Sequence, residues 1–420
     1  MADERPGRGA PTRRDYVKYG GAVVGGGLLA GCAGQSGSGS TSESDGTDAA
    51  STNGTGTEPE VATGTDASWT ATMPPVGELE FDAAPESLFD SEGFVADIAT
   101  ALGHGDIVVA FSYEKWPTHF YEGLPGVDPD TDFDTSLMAD GAADKEVFYE
   151  IDPDLITIDP NLMMGWELDA ADIEEIRENV GPIFGQRARG PRPDNFYKYG
   201  DGEPYPYLDL YEQTEIYGRV FREQERASAI IEVNRELIDE VTGRLPPESE
   251  RPTVMVGGIW DKVYANVIYF EETTPEVVRD GEVRTYGKKQ YRELDVVNAF
   301  ADASYGSPFW TNTDAEGLLE VDPEVIFIDN GIADLEFLEE QRQKLRGDPV
   351  MREVAAVQND RIYPGGTAVQ GPIVNMFQTE MAAKQLYPEE FGEWRGLGET
   401  PEDEQLFDRQ EVADIINGDI

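Results

Sequence analysis

A fourteen-residue pattern occurs twice in this chain, and no other feature limits the possible folds as strongly. The copies are residues 146–159 and residues 316–329, and seven of the fourteen positions are identical. In each copy a segment with helical spacing leads through Asp-Pro into a short apolar run that ends in Asp, which is typical of a helix followed by a buried strand. Two copies 170 residues apart predict two similar lobes.

One long helix is predicted between the copies. Residues 223–242 contain no Gly or Pro, and their polar residues occupy the face opposite an apolar stripe. That stripe consists of Ala227, Ile230, Ile231, Leu237, Ile238 and Val241. About 20 residues at roughly 1.5 Å each give a rod of ~30 Å, the width of a small domain. We therefore expect one helix to join an N-terminal lobe, residues 76–222, to a C-terminal lobe, residues 243–420.

Short strands alternating with helices predict an α/β fold, with two Rossmann-like lobes built on parallel sheets. In the N-terminal lobe we expect strands at residues 86–90, 106–111, 155–159 and 181–184, and helices at 93–102, 143–150, 172–178 and 208–220, the last ended by Gly218. In the C-terminal lobe we expect strands at 253–259, 325–329 and 361–363, hairpin character at 267–287, and helices at 294–300, 350–357, 374–386 and 411–416.

The first 32 residues are typical of a lipoprotein signal for twin-arginine export. Arg13 and Arg14 precede a short apolar run that ends at Cys32, the only cysteine in the chain. The thirteen residues of that run are too few to anchor the chain as a membrane span. Residues 33–75 are rich in Ser, Thr, Gly and acid, so they are expected to form a disordered tether. We expect the protein to lie outside the cytoplasm, anchored to the outer face of the membrane by lipid on Cys32.

The charge of the chain indicates a saline environment. The formal net charge is −52, and repulsion of this size opposes compaction at ordinary ionic strength. Molar salt shortens the Debye length to about 3 Å and relieves that repulsion. The composition therefore predicts a halophile protein and argues against nucleic acid as a partner, because the surface repels phosphate.

Candidate ligand contacts follow the predicted strand ends, where open α/β sheets bind ligands. Two histidines and one cysteine cannot form a His-rich metal site, and neither a GxSxG nor a P-loop motif is present, so we expect no enzyme activity, cofactor or protein-bound metal. His104 is expected to be structural. The candidates are Tyr113, Trp116, His119, Met163, Trp166, Arg187, Trp260, Tyr264 and Gln370. For the aromatic candidates, core packing is the competing interpretation.

Two groups of basic residues stand out against the acidic background. We define the first basic cluster as Arg187, Arg189 and Arg192, and the second as Arg284, Lys288, Lys289 and Arg292. Either cluster could neutralise an anionic ligand, and either could instead pair with neighbouring acids. Both interpretations stay open at the level of sequence.

The signal, the tether, the paired repeat and the ending 359–363 (NDRIY) with 383–389 (AKQLYPE) together resemble the substrate-binding proteins of ABC importers for iron–siderophore complexes, cobalamin and haem. The resemblance covers about residues 76–420. It implies a small-molecule ligand held between the lobes by a monomer that delivers it to a membrane permease with its ATPase. It also implies that Glu146 and Glu316, seven residues before each repeat proline, face arginines of that permease.

The resemblance favours a ferric chelate as ligand. Tyr113 and Trp116 occupy the loop where family members place aromatic contacts, whereas residues 365–372 lack the acid and the arginine associated with cobalamin recognition. Cobalamin or another corrinoid and haem remain alternative ligands. Alternatives of another class are a lipid-anchored extracellular enzyme and a scavenger that works without a transporter.

Overall fold

The computed structural model describes residues 68–90, 93–111, 118–128, 144–166, 168–190, 192–193, 195–260, 263–267, 278–279, 282–283, 285, 287–300, 310–329, 335–367, 370–396 and 398–419. The predicted export signal with Arg13 and Arg14, the predicted lipidation site Cys32 and most of the predicted tether lie outside these residues. The part of the chain that is described contains no helix long and apolar enough to cross a membrane.

The described chain opens with an antiparallel hairpin of β1 (Trp69–Met73) and β2 (Gly77–Phe81). Ala71 and Met73 face inward, and the ring of Trp69 stacks on Phe81 with centroids 5.9 Å apart. The tether was expected to continue to residue 75, so folded structure begins earlier than predicted. The alternation of small polar and apolar residues in a short strand is a weak signal beside the long Ser-Thr-Gly stretch that precedes it.

The N-terminal lobe contains a parallel sheet in the order β4–β3–β5. Its elements are β3 (Leu88–Asp90), α1 (Phe94–Ala101), β4 (Val108–Phe111), α2 (Lys145–Ile151), β5 (Leu155–Ile156), α3 (Pro160–Met163) and α4 (Ala170–Asn179). Residues 181–184, predicted as a strand, contribute only a parallel bridge from Ile183 to Ile156. Residues 160–166, which follow the strand predicted at 155–159, form α3 and then a short 3-10 turn.

Helices α5 (Leu210–Phe221) and α6 (Gln224–Gly243) follow, and α6 confirms the predicted long helix to within one residue at each end. The prediction that Gly218 ends α5 is wrong, because α5 continues to Phe221 and stops where Arg222 adopts a left-handed φ of 63°. Gly218 has a packing role instead. A Cβ added there would lie 2.7 Å from the Cβ of Ala227 on α6, so only glycine lets the two helices approach this closely.

The C-terminal lobe contains a sheet in the order β11–β7–β6–β12–β13, with β10 parallel to β6. Its elements are β6 (Thr253–Trp260), β7 (Val263–Val267), β8 (Val278–Arg279), β9 (Glu282–Val283), α7 (Lys289–Glu293), β10 (Val297–Asn298), β11 (Trp310–Thr313), α8 (Ala315–Val321), β12 (Val325–Ile328), α9 (Leu335–Gly347), α10 (Ala355–Gln358), β13 (Ile362–Pro364), α11 (Pro372–Leu386), α12 (Pro388–Phe391) and α13 (Arg409–Asn417).

Several expectations for this lobe are met and two are wrong. The single helix predicted at residues 350–357 is instead a 3-10 turn, Met351–Glu353, and the short α10, separated by the extended Val354. Strands β8 and β9 form an antiparallel pair within the region predicted to have hairpin character. The helix predicted at residues 294–300 does not form. Helix α7 ends at Glu293, Asp295 has a left-handed φ of 47°, and Val297 and Asn298 pair with β6 instead.

Both lobes repeat one arrangement. The order β4–β3–β5 in the first sheet matches β10–β6–β12 in the second, and the sequence repeat supplies α2 with β5 and α8 with β12. These observations confirm the predicted α/β class with a parallel sheet in each lobe, to which the second lobe adds the antiparallel strands β7 and β11. One hydrophobic cluster contains buried residues from both sheets, for example Leu88 and Val254, together with α6 and the wholly buried α11.

Candidate functional site

The carboxyl end of β5 carries Asp159, a carboxylate that organises its surroundings. It is 2% exposed, and its Oδ1 accepts from the N–H of Asn161 at 2.9 Å, which caps the short α3. Its Oδ2 accepts from the N–H of Arg187 at 2.9 Å and from the hydroxyl of Tyr205. Asp159 is therefore fully occupied in holding the first basic cluster against the strand end.

Arg192 of the first basic cluster is buried between two tyrosines. Its guanidinium carbon lies 4.1 Å from the ring centroid of Tyr205 and 3.9 Å from that of Tyr207. Its Nε donates to the carbonyl of Arg187 at 2.8 Å, and its Nη1 donates to the carbonyl of Tyr205 at 2.9 Å. The second terminal nitrogen, Nη2, is buried and has no acceptor among the described residues.

That arrangement leaves a cation incompletely neutralised. Burying a charge without a counter-ion is costly, so a negative charge close to this guanidinium would relieve the cost. Burial, with the carboxylate of Asp159 as a second cause, raises the pKa of Tyr205, and burial also raises the pKa of Tyr207. Both phenols therefore stay protonated and keep their hydroxyl hydrogens as donors.

Lys288 of the second basic cluster lies at the carboxyl end of β12. Its side chain is completely buried, and its Nζ pairs with Oδ1 of Asp329 and lies 3.4 Å from the carbonyl of Gly365. Burial lowers the pKa of Lys288 and outweighs the opposing effect of Asp329, while the charge of Arg189 lowers it further. Asp159 and Asp329 are the closing residues of the two sequence repeats, so equivalent positions carry an acid in each lobe.

The two basic clusters meet across the lobes. The N–H of Gly287 donates to the carbonyl of Arg189 at 2.8 Å, which joins segments that are far apart in sequence. Within the second cluster, Lys288 and Lys289 pair with acids, as the competing interpretation expects, and the guanidinium of Arg292 donates to the carbonyls of Thr285 and Gly287. Arg284 lies outside the described residues.

The loop after β13 is fixed by buried amides. Gln370, a sequence candidate, is completely buried, and its Nε2 donates to Oε1 of Gln290 at 3.1 Å. The Oε1 of Gln370 accepts from Nε2 of Gln378. The side-chain amide of Gln378 also accepts from the N–H of Thr367 and donates to the carbonyl of Thr367. The carbonyl of Gly365 accepts from the hydroxyl of Tyr291 at 2.8 Å. We call residues 365–367 and 370–371 the cleft loop.

The other ligand candidates fall in several environments. His119 is half-buried in a 3-10 turn. Met163 is buried in the hydrophobic cluster of the N-terminal lobe, and Trp166 packs against that cluster, which matches the core-packing interpretation for Trp166. Tyr113 and Trp116 lie outside the described residues. Trp260 and Tyr264 lie in the antiparallel pair β6–β7, and nothing is described of their side chains. His104, expected to be structural, stacks on Phe221 at 5.0 Å.

Glu146 and Glu316 occupy matching positions in the first turns of α2 and α8. Both are exposed, and neither carboxylate forms a hydrogen bond or ion pair with another described residue. Asp144 caps α2 by accepting from the N–H of Val147, and Asp314 caps α8 in the same way. The caps give the two glutamates the same local geometry.

Sequence reasoning missed Asp159, Asp329, Tyr205 and Tyr207. The two acids were visible as the closing positions of the repeat, but their partners come from distant segments. The tyrosines were visible as the run 204–207 (PYPY), whose pairing with Arg192 depends on the fold. Among the residues that the structure describes, no group of His, Cys, Asp or Glu is arranged to hold a metal ion.

Comparison with known proteins gives the following matches. The family model described as "Periplasmic binding protein" matches residues 91–367. No curated protein sequence matches significantly. Among solved structures, CeuE of Helicobacter pylori in a Ni-His complex is 13% identical, with 77% of this chain and 90% of that chain covered and a TM-score of 0.50.

Two further solved structures have related descriptions. An ABC-type Fe3+-hydroxamate transport system protein of Saccharomonospora viridis is 19% identical, with 77% of this chain and 99% of that chain covered and a TM-score of 0.47. PiuA of Streptococcus pneumoniae, an iron uptake ABC transporter substrate-binding protein, is 16% identical, with 75% and 97% covered and a TM-score of 0.47. These identities indicate similarity of fold only.

Proposed function

The chain belongs to the periplasmic binding protein family, and from that premise we propose that it captures a ferric chelate between its lobes and delivers it to an ABC importer. The observation that carries the choice of ligand is the hydrogen bond from Gly287 to Arg189, which brings the two basic clusters together at the strand ends. The protein acts by binding and release, without an enzymatic step.

The chemistry of the clusters favours an anionic, oxygen-rich ligand. A guanidinium presents several N–H donors in one plane and suits carboxylate, hydroxamate or catecholate oxygens. In this chain the buried guanidinium of Arg192 forms no ion pair with a described acid, and the half-buried ring of Tyr205 packs against it. A chelate with negative oxygens around its metal would fit beside such a group, whereas a neutral corrinoid would leave the guanidinium without its counter-charge.

Docking on the permease would use Glu146 and Glu316. Each is exposed, each lies in the first turn of a capped helix, and one belongs to each repeat. Carboxylates placed this way can form bidentate pairs with arginines of a membrane partner. The permease and its ATPase are thus the protein partners that we propose.

The proposal also covers the cellular location of the protein. Export would depend on Arg13 and Arg14, and lipid on Cys32 would hold the protein on the outer face of the membrane in a saline environment. We place the lobe boundaries at the ends of the connecting helix, near residues 222 and 243.

Ligand identity can be tested on protein purified under native conditions in molar salt. Mass spectrometry and visible absorbance of this protein should reveal a co-purified ferric complex. Titration of ligand-stripped protein with a ferric hydroxamate, a ferric catecholate, a ferric hydroxycarboxylate, cyanocobalamin and haemin should then give binding for at least one anionic ferric chelate. Binding of cyanocobalamin or haemin alone would replace the ferric chelate with that ligand. Absence of binding to every member of the panel would contradict the proposal.

A further inference from the structure

Three half-buried aromatic rings lie together beside the first basic cluster. Phe196 and Tyr197 have ring centroids 5.8 Å apart, and Tyr197 and Tyr205 have ring centroids 5.6 Å apart, with nearly perpendicular planes in both pairs. Each of the three side chains keeps part of its surface exposed. We call Phe196, Tyr197 and Tyr205 the aromatic patch.

Core packing does not explain the aromatic patch. Among the described residues, none of its three rings belongs to a hydrophobic core cluster or packs against one. Tyr199 of the same segment, by contrast, packs against the cluster of the N-terminal lobe. Partly exposed rings that pack on one another outside the core are typical of binding surfaces, because a flat apolar face is stabilised when a ligand covers it.

The protein itself holds the patch in place. Asn161 is 3% exposed, and its Oδ1 accepts from the N–H groups of Lys198 at 2.7 Å and Tyr199 at 2.8 Å. Its Nδ2 donates to the hydroxyl oxygen of Tyr205 at 3.3 Å, and that hydroxyl donates to Asp159 at the end of β5. Rings that are fixed in this way lose little conformational entropy when a ligand binds.

The patch borders the junction of the two lobes. Arg187 and Arg189 are half-buried and alternate with buried neighbours, so their side chains lie on one face of the segment. The guanidinium carbon of Arg187 lies 5.9 Å from the ring centroid of Phe196, and the carbonyl of Arg189 accepts from Gly287 of the C-terminal lobe. The patch therefore lies where the two basic clusters meet, at the edge of the sheet where open α/β folds bind ligands.

A ligand that matches both features of this place is anionic and aromatic. Arg187 puts a guanidinium beside the patch, and a guanidinium suits negative oxygens, whereas the rings suit another ring. A ferric catecholate carries its negative charge on oxygens that are bonded directly to aromatic rings. A ferric hydroxycarboxylate is anionic without a ring, and an aliphatic ferric tris-hydroxamate is neutral.

We propose that the aromatic patch determines specificity and selects ferric catecholates over hydroxamate and hydroxycarboxylate chelates. The inference rests on the proposed function and narrows it to one class of chelate. Phe196 and Tyr197 are the residues that we expect to contact the catecholate rings, because the ring of Tyr205 already packs on Arg192.

Affinities for three iron complexes test this specificity: a hexadentate ferric tris-catecholate, the aliphatic ferric tris-hydroxamate on the same backbone, and ferric dicitrate. Calorimetry in molar KCl should show that the tris-catecholate binds at least about tenfold more tightly than the other two, because each ring pair contributes a factor of about 2 to 10. Equal or tighter binding of the tris-hydroxamate or the dicitrate would overturn the inference and leave a ferric chelate as the ligand. Absence of binding to all three would overturn the inference and the proposed function together.

The double variant Phe196→Leu with Tyr197→Leu removes two rings and keeps apolar side chains. Its affinity for the tris-catecholate should fall by about tenfold, and its affinities for the other two complexes should change by less than about twofold. Tyr149→Leu, which removes an exposed ring on α2, is the control and should leave all three affinities unchanged.

A single variant keeps the test decisive if the double variant does not fold. Phe196→Leu alone should weaken binding of the tris-catecholate by about threefold and should leave binding of the other two complexes unchanged. An unchanged preference for the tris-catecholate in the folded variant, or an equal loss of affinity for all three complexes, would overturn the role of the aromatic patch.

Discussion

Asp152 and Asp322 end equivalent helices in the same unusual backbone conformation. Their φ angles are 48° and 46°, and each donates its N–H to the carbonyl four residues earlier, that of Phe148 in one lobe and Leu318 in the other. Both precede the repeat proline, which cannot continue a helix. The shared Asp-Pro of the repeat thus ends α2 and α8 and directs the chain into β5 and β12.

The two aspartates should respond differently to substitution by glycine. Glycine adopts positive φ without steric cost, so Asp152→Gly should change stability by less than about 1 kcal/mol. Asp322→Gly should destabilise the protein by roughly 1–2 kcal/mol, because Oδ1 of Asp322 also accepts from the N–H of Ala355 at 2.7 Å. Urea unfolding of both variants would measure this difference. Equal effects would show that the bond to Ala355 contributes nothing.

Gly218 should not tolerate a methyl group. Gly218→Ala would press a new Cβ against Ala227 at 2.7 Å and should cost about 1–3 kcal/mol in the free energy of unfolding. Gly243, the last residue of α6, has nothing within 4 Å of an added Cβ, so Gly243→Ala is the matched control. We expect that control to be neutral or stabilising by up to about 1 kcal/mol. A neutral Gly218→Ala variant would mean that α5 and α6 can separate without loss.

The structural elements that could be predicted are those whose limits depend on residues close together in the sequence. The long α6 contains no residue before its last that would break a helix, and the repeat carries the Asp-Pro that ends its helix, so both were recognisable without knowledge of the fold. The helix expected at residues 294–300 was wrong because pairing with β6 outweighed local propensity for Val297 and Asn298. The contact between Arg189 and Gly287 and the cap from Asp97 to Ile373 join distant segments, and no pattern along the chain encodes either.

Stability should depend strongly on salt. The net charge is −52, so the surface side chains repel one another. Lowering the salt from molar to about 0.1 M lengthens the Debye length to roughly 10 Å, and this repulsion then destabilises the folded state. The thermal midpoint measured by circular dichroism in KCl should therefore fall steadily over this range. A constant midpoint would contradict the inference of a saline habitat.

Charge reversal at Glu146 and Glu316 should separate uptake from binding. If the proposed docking role is right, the double variant Glu146→Lys with Glu316→Lys should abolish uptake of the chelate, because lysines would then face the arginines proposed for the permease. Each single reversal should give an intermediate loss, and ligand affinity of the purified protein should not change. Reversal of Glu178, an exposed glutamate of α4 outside the repeat, is the control. Normal uptake by the double variant, or equal loss of binding and uptake, would rule out the docking role.

The most direct measurement of the central claim is the affinity for an anionic ferric chelate of the unaltered protein and of Arg192→Met, by calorimetry in molar KCl. Removing the buried guanidinium should weaken binding by at least tenfold, in the range of a hydrogen bond to a charged group. Arg222→Met, which removes a guanidinium stacked 4.5 Å from the ring centroid of Trp69 in the hairpin, should bind like the unaltered protein. Equal affinities in all three proteins would contradict a ligand held where the two basic clusters meet.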